Sequence, residues 1–240
     1  MQNSDVLLVF GCRMNIRQIS YNYKEFAKNA YKIVVDIDEA ELHKPTVDID
    51  MKVHADVADV FRDMIKSTRT AGNHEEWLSW CKNIHAKYPA ALPAYYQKKT
   101  PVNPYVFIHE FSEALSEGER VICGNGSACV ITFQAMQIKK GQRLFTNSGC
   151  AAMGYGFPAA VGCAVAEKGK RVICLDGDGS FQMNMQELQT VCYNKLNVKI
   201  FILNNNGYHS IRQTQTNLFE PPLVGVCDGN GLSLIHISEP

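Results

Sequence analysis

Two short polar stretches carry the residue types from which a metal and phosphate site is made. Asp176-Gly177-Asp178-Gly179-Ser180 offers carboxylates between glycines, and Asn204-Asn205-Asn206-Gly207 offers amide oxygens, with 24 residues between Gly179 and Asn204. A hard divalent cation such as Mg²⁺ takes oxygen ligands from one or two carboxylates, amides and backbone carbonyls, and phosphate oxygens complete its octahedron. Asp178 can supply the carboxylate, Asn205 an amide oxygen and Gly207 a backbone carbonyl. The N–H groups of Gly179 and Ser180, opening a helix, form an anion site for a phosphate. An EF-hand calcium loop is excluded by position, because Phe181 stands where such a loop needs its glycine.

These residues need elements that bring them together. The apolar run 171–175 reads as a buried strand and 199–203 as a second one. Between them, 181–193 reads as a helix with Phe181, Met185, Leu188 and Cys192 near one face. A strand–helix–strand unit with a right-handed crossover makes its strands parallel. Their carboxyl ends then carry Asp178 and Asn205 to one end of the sheet. Gly124-Asn125-Gly126-Ser127 follows another strand, 120–123, and precedes an apolar helix, 128–138. A glycine-rich turn there sets backbone N–H groups against phosphate oxygens. The block 147–166 crowds small residues at a turn and a helix start, so a bulky group must approach its backbone closely.

The Gly177-Asp178-Gly179 triplet, its spacing to the Asn204-Asn205 pair and the strand before each half resemble the cofactor motif of thiamine-diphosphate (ThDP) dependent enzymes. The resemblance implies Asp178, Asn205 and the carbonyl of Gly207 as Mg²⁺ ligands. It makes Gly124, Asn125, Gly126, Ser127, Gly177, Gly179 and Ser180 cofactor-binding positions. It further implies that the carbonyl of Ala151 accepts from the 4′-amino group and that Met153 wedges between the two rings. Met153 within Ala152-Met153-Gly154-Tyr155-Gly156-Phe157-Pro158-Ala159-Ala160 is similar to the acetolactate synthase branch. The stretch before it, Asn147-Ser148-Gly149-Cys150-Ala151-Ala152, differs from the Ser-Gly-Gly-Leu-Gly-Thr of that branch.

By resemblance, the whole protein is a ThDP- and Mg²⁺-dependent transferase or lyase. It decarboxylates a 2-keto acid such as pyruvate and ligates the remainder to a second carbonyl. A related lyase, decarboxylase or ring-cleaving hydrolase, of acyl-CoA lyase or benzoylformate type, is one alternative. A cofactor-domain remnant without catalysis is the other. FAD, which acetolactate-type relatives carry in their central domain, is left undecided. The family's activating glutamate belongs to a pyrimidine-binding domain on a partner subunit, and no residue here is assigned that role. The expected assembly is therefore a homodimer or tetramer, and this fragment alone is expected to be inactive.

The organisation is α/β. Residues 1–65 are expected to form a Rossmann-like half of a central domain, with strands at 5–10 and 32–36, a helix at 21–30 and another at 53–64. Val57, Val60, Phe61 and Met64 lie at core-like spacing on the last. Arg13, Asp36 and Asp38 stand where such a sheet could meet a nucleotide, or serve as ordinary caps and surface charge. Residues 66–103 read as a helix, carrying Trp77, Trp80 and Ile84, and a proline-rich linker. Residues 104–232 read as a three-layer, parallel-sheet diphosphate domain, cut short at its end. Residues 233–240 read as translated sequencing-adaptor and are set apart from the fold. The polar segment 208–218 reads as a solvated loop, with His209 and Arg212 candidates for a keto-acid carboxylate.

Composition narrows the function classes. With 24 basic and 24 acidic residues, nothing marks a nucleic-acid or membrane surface. The nine cysteines form no C-x-x-C pair, and Cys123, Cys163, Cys174 and Cys192 sit in apolar stretches as buried thiols. That favours a reducing, cytoplasmic location.

Overall fold

A computed structural model describes residues 1–67 and 72–230. The adaptor-like tail lies outside them. The chain divides into two compact units, Met1–Glu75 and Glu76–Pro240.

The first unit is a parallel sheet of β1 (Val6–Phe10), β2 (Tyr31–Asp36) and β3 (Met51–His54), with β2 in the middle. Val9 pairs with Val34 and Val35 with Val53. Its core joins Val9 and Val34 to Ile19 of α1 (Ile16–Ile19), Leu42 of α2 (Glu39–His43) and Val47. Two expectations fail here. Residues 21–30 hold only a 3₁₀ turn, Tyr23–Glu25, because Ser20 and Ala27 take positive φ of 68° and 44° and break the helical path. Residues 53–54 end the strand β3, and α3 (Val57–Lys66) starts after the Asp56 cap. No residue of α3 is buried, despite the core-like spacing; the Phe61 ring meets Phe10 at 4.9 Å but stays 43% exposed.

The second unit opens within α4 (Glu75–Lys87), also without a buried residue, on which Trp77 and Trp80 stack at 5.1 Å. A 3₁₀ turn at Pro93–Gln97 interrupts the proline-rich stretch. Then follow α5 (Pro104–Ala114), β4 (Arg120–Cys123), α6 (Gly126–Ala135), β5 (Arg143–Phe145), α7 (Gly156–Ala166), β6 (Val172–Gly177), α8 (Asp178–Gln182), α9 (Leu188–Tyr193), β7 (Val198–Leu203) and α10 (His209–Leu218). The sheet is parallel in the order β5-β4-β6-β7. Alternate strand residues face opposite sides. Val121, Cys123, Ile173 and Leu175 pack with Ile108 and Phe111 of α5. Ile122, Val172 and Cys174 pack with Phe157, Ala160 and Ala164 of α7. Three layers result, as expected.

Several local readings change. β5 is a three-residue edge strand, too short to announce itself in sequence. The expected helix 181–193 is two pieces, α8 and α9, separated by a 3₁₀ turn at Met185–Glu187. The segment after Tyr208 is helix α10, not a solvated loop. Cys123 and Cys174 are buried, Cys163 is half-buried, and Cys192 is exposed at the end of α9. No helix among the described residues is long and apolar enough to cross a membrane.

Candidate functional site

The strand order sets where a ligand can enter. From β4 the chain passes through α6 to β5 on one side, and β6 leads to β7 on the other. Parallel sheets open a crevice outside the carboxyl ends of the strands at such a reversal. β6 ends at Gly177 and α8 begins at the next residue, Asp178. β4 ends at Cys123, and α6 starts at Gly126 rather than at residue 128, so Gly126 and Ser127 belong to its first turn.

One cleft gathers most of the expected residues. Asn125, Gly126, Ser127 and Met153 line it on one side, and Gly177, Asp178, Gly179 and Ser180 on another. Asn205 and Gly207 complete it, with Tyr208 and the first residues of α10. Asp178 is buried, and its Oδ2 accepts from the N–H of Gly207 at 2.6 Å, so β6 and β7 are tied together at the cleft. The Gly207 carbonyl accepts from His209 N–H at 3.1 Å. The Asn205 side-chain oxygen is buried without any hydrogen-bond partner. An orphaned amide oxygen costs about 1–3 kcal/mol unless a ligand meets it. Asn125 caps α6 in position only: its side chain makes no capping bond and instead donates to the carbonyl of Ala151 at 3.1 Å. The first-turn amides of α6 are therefore not capped by that side chain, and α6 is ten residues long.

Two of the expected cofactor positions lie outside the cleft lining. Ala151, at φ 52°, is engaged through its carbonyl by Asn125. Gly124 is packed beneath: a Cβ there would stand 1.9 Å from Asp176 Oδ1. His209 lines the cleft, whereas Arg212 turns its guanidinium to the carbonyls of Asn205 and Asn206. Those bonds tie Arg212 to the β7–α10 turn.

Three residues were missed from the sequence. Asp176 is fully buried, and its Oδ2 has no hydrogen-bond partner while Oδ1 accepts from Gly177 N–H at 2.9 Å. Burial pushes its carboxyl up to about 6, opposed by the bond from Gly177 N–H. Its adjacency to the glycine triplet was the only sequence signal. Tyr208 lays its ring against Gly179, where a Cβ would come within 2.3 Å of it. Asn184 donates to the carbonyl of Gly154 at 2.7 Å, and Gly154 N–H donates to Ser180 Oγ at 2.9 Å.

The donor set suits a cation that prefers amide and carbonyl oxygens beside one carboxylate. Among the described residues, no three His, Cys, Asp or Glu side chains converge as a metal cluster.

Comparison with known proteins matches the same parts of the chain. Residues 124–236 match the thiamine pyrophosphate enzyme C-terminal TPP binding domain, and residues 1–64 match the thiamine pyrophosphate enzyme central domain. The chain belongs to the thiamine pyrophosphate enzyme family. The C-terminal match runs past residue 233 into the stretch read as adaptor. Among curated relatives, acetolactate synthase isozyme 1 large subunit of Escherichia coli is 32% identical over 223 residues, 92% of this chain and 38% of the relative. The acetolactate synthase large subunit of Pyropia yezoensis is 34% identical over 216 residues, 88% of this chain and 35% of the relative. A chloroplastic acetolactate synthase of Brassica napus is 29% identical over 223 residues, 91% of this chain and 34% of the relative. The chain spans little more than a third of the length of these relatives.

Proposed function

We propose that the chain is the cofactor-holding part of a Mg²⁺-dependent carboligase that acts on a 2-keto acid, acetolactate-synthase-like. Asp178, the Asn205 amide oxygen and the Gly207 carbonyl would hold Mg²⁺, and the first turn of α6 would hold the diphosphate it neutralises. Bound thiamine diphosphate supplies the carbanion chemistry by which a keto acid loses CO₂ and its acyl unit joins a second carbonyl. The chain's own share is binding, orientation and exclusion of water. Asn125 fixes the Ala151 carbonyl that would meet the aminopyrimidine, and Met153 would support the bend between the rings. A pyruvate-like donor, a cytoplasmic location and a dimer or tetramer that brings a pyrimidine-binding domain from a partner subunit complete the reading.

The observation that carries it is the Asn205 oxygen, buried and unpartnered in a cleft shared with Asp178 and the start of α6. Calorimetric titration of the chain with ThDP in Mg²⁺ tests it. Saturable binding should weaken about 100-fold in Asp178→Ala and disappear with EDTA, as loss of a charged metal ligand requires. Binding indifferent to both would refute the metal assignment. For the whole protein, product analysis from pyruvate separates the alternatives: a coupled keto acid from a carboligase, an aldehyde from a decarboxylase.

A further inference from the structure

Met153 lies in a segment with little regular structure: residues 146–155 carry neither helix nor strand, and Ala151 and Gly154 both take positive φ. Something outside the segment must set how far Met153 stands from the Asp178 end of the cleft. Gly154, the next residue, is held at both of its backbone polar groups. Its N–H donates to Ser180 Oγ at 2.9 Å in a buried bond, and its carbonyl accepts from Asn184 Nδ2 at 2.7 Å. Ser180 is 4% exposed. Asn184 sits at the start of the 3₁₀ turn after α8 without capping it, so its amide is spent on Gly154 instead. No side chain fits at residue 154, since a Cβ would meet Asn184 Nδ2 at 2.8 Å and Met183 Cβ at 3.0 Å.

We propose that Ser180 and Asn184 are positioning residues, a latch that holds Met153 at a set distance from the diphosphate and metal end of the cleft. The proposal rests on the thiamine diphosphate reading above. Its basis is that one short element carries both ends of the ruler. α8 begins with Asp178, bound to Gly207 of the neighbouring strand's turn, and carries Ser180 two residues later. The helix rises about 1.5 Å per residue, so the carboxylate and the latch are joined by a rigid step. The same arrangement explains why the expected helix breaks after α8: Asn184 leaves the helical path and reaches Gly154. A ligand that spans the cleft reads both ends, whereas a bare diphosphate reads one.

Two measurements on the 240-residue chain test this. The first needs no ligand: amide hydrogen exchange at Gly154 should rise about tenfold or more in Ser180→Ala, as expected for one lost buried bond. Exchange at Ile173 and Cys174 in β6 should stay as it was. Unchanged exchange at Gly154 overturns the latch. The second compares ThDP with inorganic pyrophosphate, each in Mg²⁺. In Asn184→Ala, ThDP should bind about tenfold more weakly while pyrophosphate stays within about twofold. A merely structural role would weaken both, and equal loss of both, or of neither, overturns the positioning role. A whole protein that binds neither ligand refutes the thiamine reading and the positioning role with it, while the exchange result still decides the latch.

Discussion

The two units present the same kind of crevice in opposite chemical states. Both have parallel strands whose carboxyl ends open onto polar residues. In the first unit those residues satisfy one another. Arg13 is paired with Glu41 at 2.5 Å, Asp38 caps α2 by accepting from Ala40 N–H, and Asp36 accepts from Asp38 N–H. The Arg13 guanidinium is held above its ordinary value by Glu41, and Lys44 and Arg13 hold the Glu41 carboxyl down. In the second unit the Asn205 oxygen is orphaned, the α6 amides lack a side-chain cap, and Asp176 is buried half-unsatisfied beneath. Fold topology creates a crevice. Polar groups left without an internal partner make it a binding site.

Three substitutions and one labelling pattern sharpen the contrast. The largest effect is expected beneath the second crevice. Gly124→Ala would drive a Cβ to 1.9 Å from Asp176 Oδ1, and neither the strand end nor the buried carboxyl can yield. A loss of about 3 kcal/mol or more in urea unfolding is expected, the upper range for overpacking. A loss under about 1 kcal/mol would mean that Asp176 is free to move. Asp38→Ala in the first crevice should cost about 1 kcal/mol, the value of one helix cap, in the unfolding of that unit. Together with Arg13→Ala, it should leave Mg²⁺-dependent ThDP binding within about twofold, read by the same titration. A tenfold loss in either variant would show that the first crevice takes part in the site after all.

The smallest effect is chemical rather than energetic. Burial pushes the Cys123 thiol up to about 12, and it raises Cys174 as well, so both stay protonated at pH 8. Iodoacetamide should therefore modify exposed Cys150 and Cys192 in the folded chain and spare Cys123 and Cys174 until denaturant is added. Mass spectrometry of the peptides checks it. Early labelling of Cys174 would place the sheet centre in contact with solvent.

How far the sequence could be read follows from the range of the forces involved. The apolar runs at β2, β4 and β6 were legible because a strand buried on both faces needs continuous apolar residues, and β1 and β7 show the same run although each keeps exposed residues. Glycine and asparagine at residues 177–179 and 204–207 were legible because turns between strand and helix need those residue types. β5 was not, since three residues carry too little pattern, and α10 was not, since its polar faces resemble a loop. The buried face expected on α3 had the right spacing, yet spacing says nothing about whether a partner covers it.

At the site, the sequence alone determined which groups could bind a metal and a diphosphate, because oxygen ligands, glycines and their order along the chain are local properties. Only the tertiary structure decided which polar atoms are already spent. Arg212 is turned to the Asn205 and Asn206 carbonyls, Asn125 to Ala151, and Ser180 and Asn184 to Gly154, while the Asn205 oxygen is left alone. Apart from the short-range Arg212 bonds, those partners lie 26 to 30 residues apart in sequence, so no local pattern encodes them. Which buried groups go unsatisfied is settled when the sheet and its helices close.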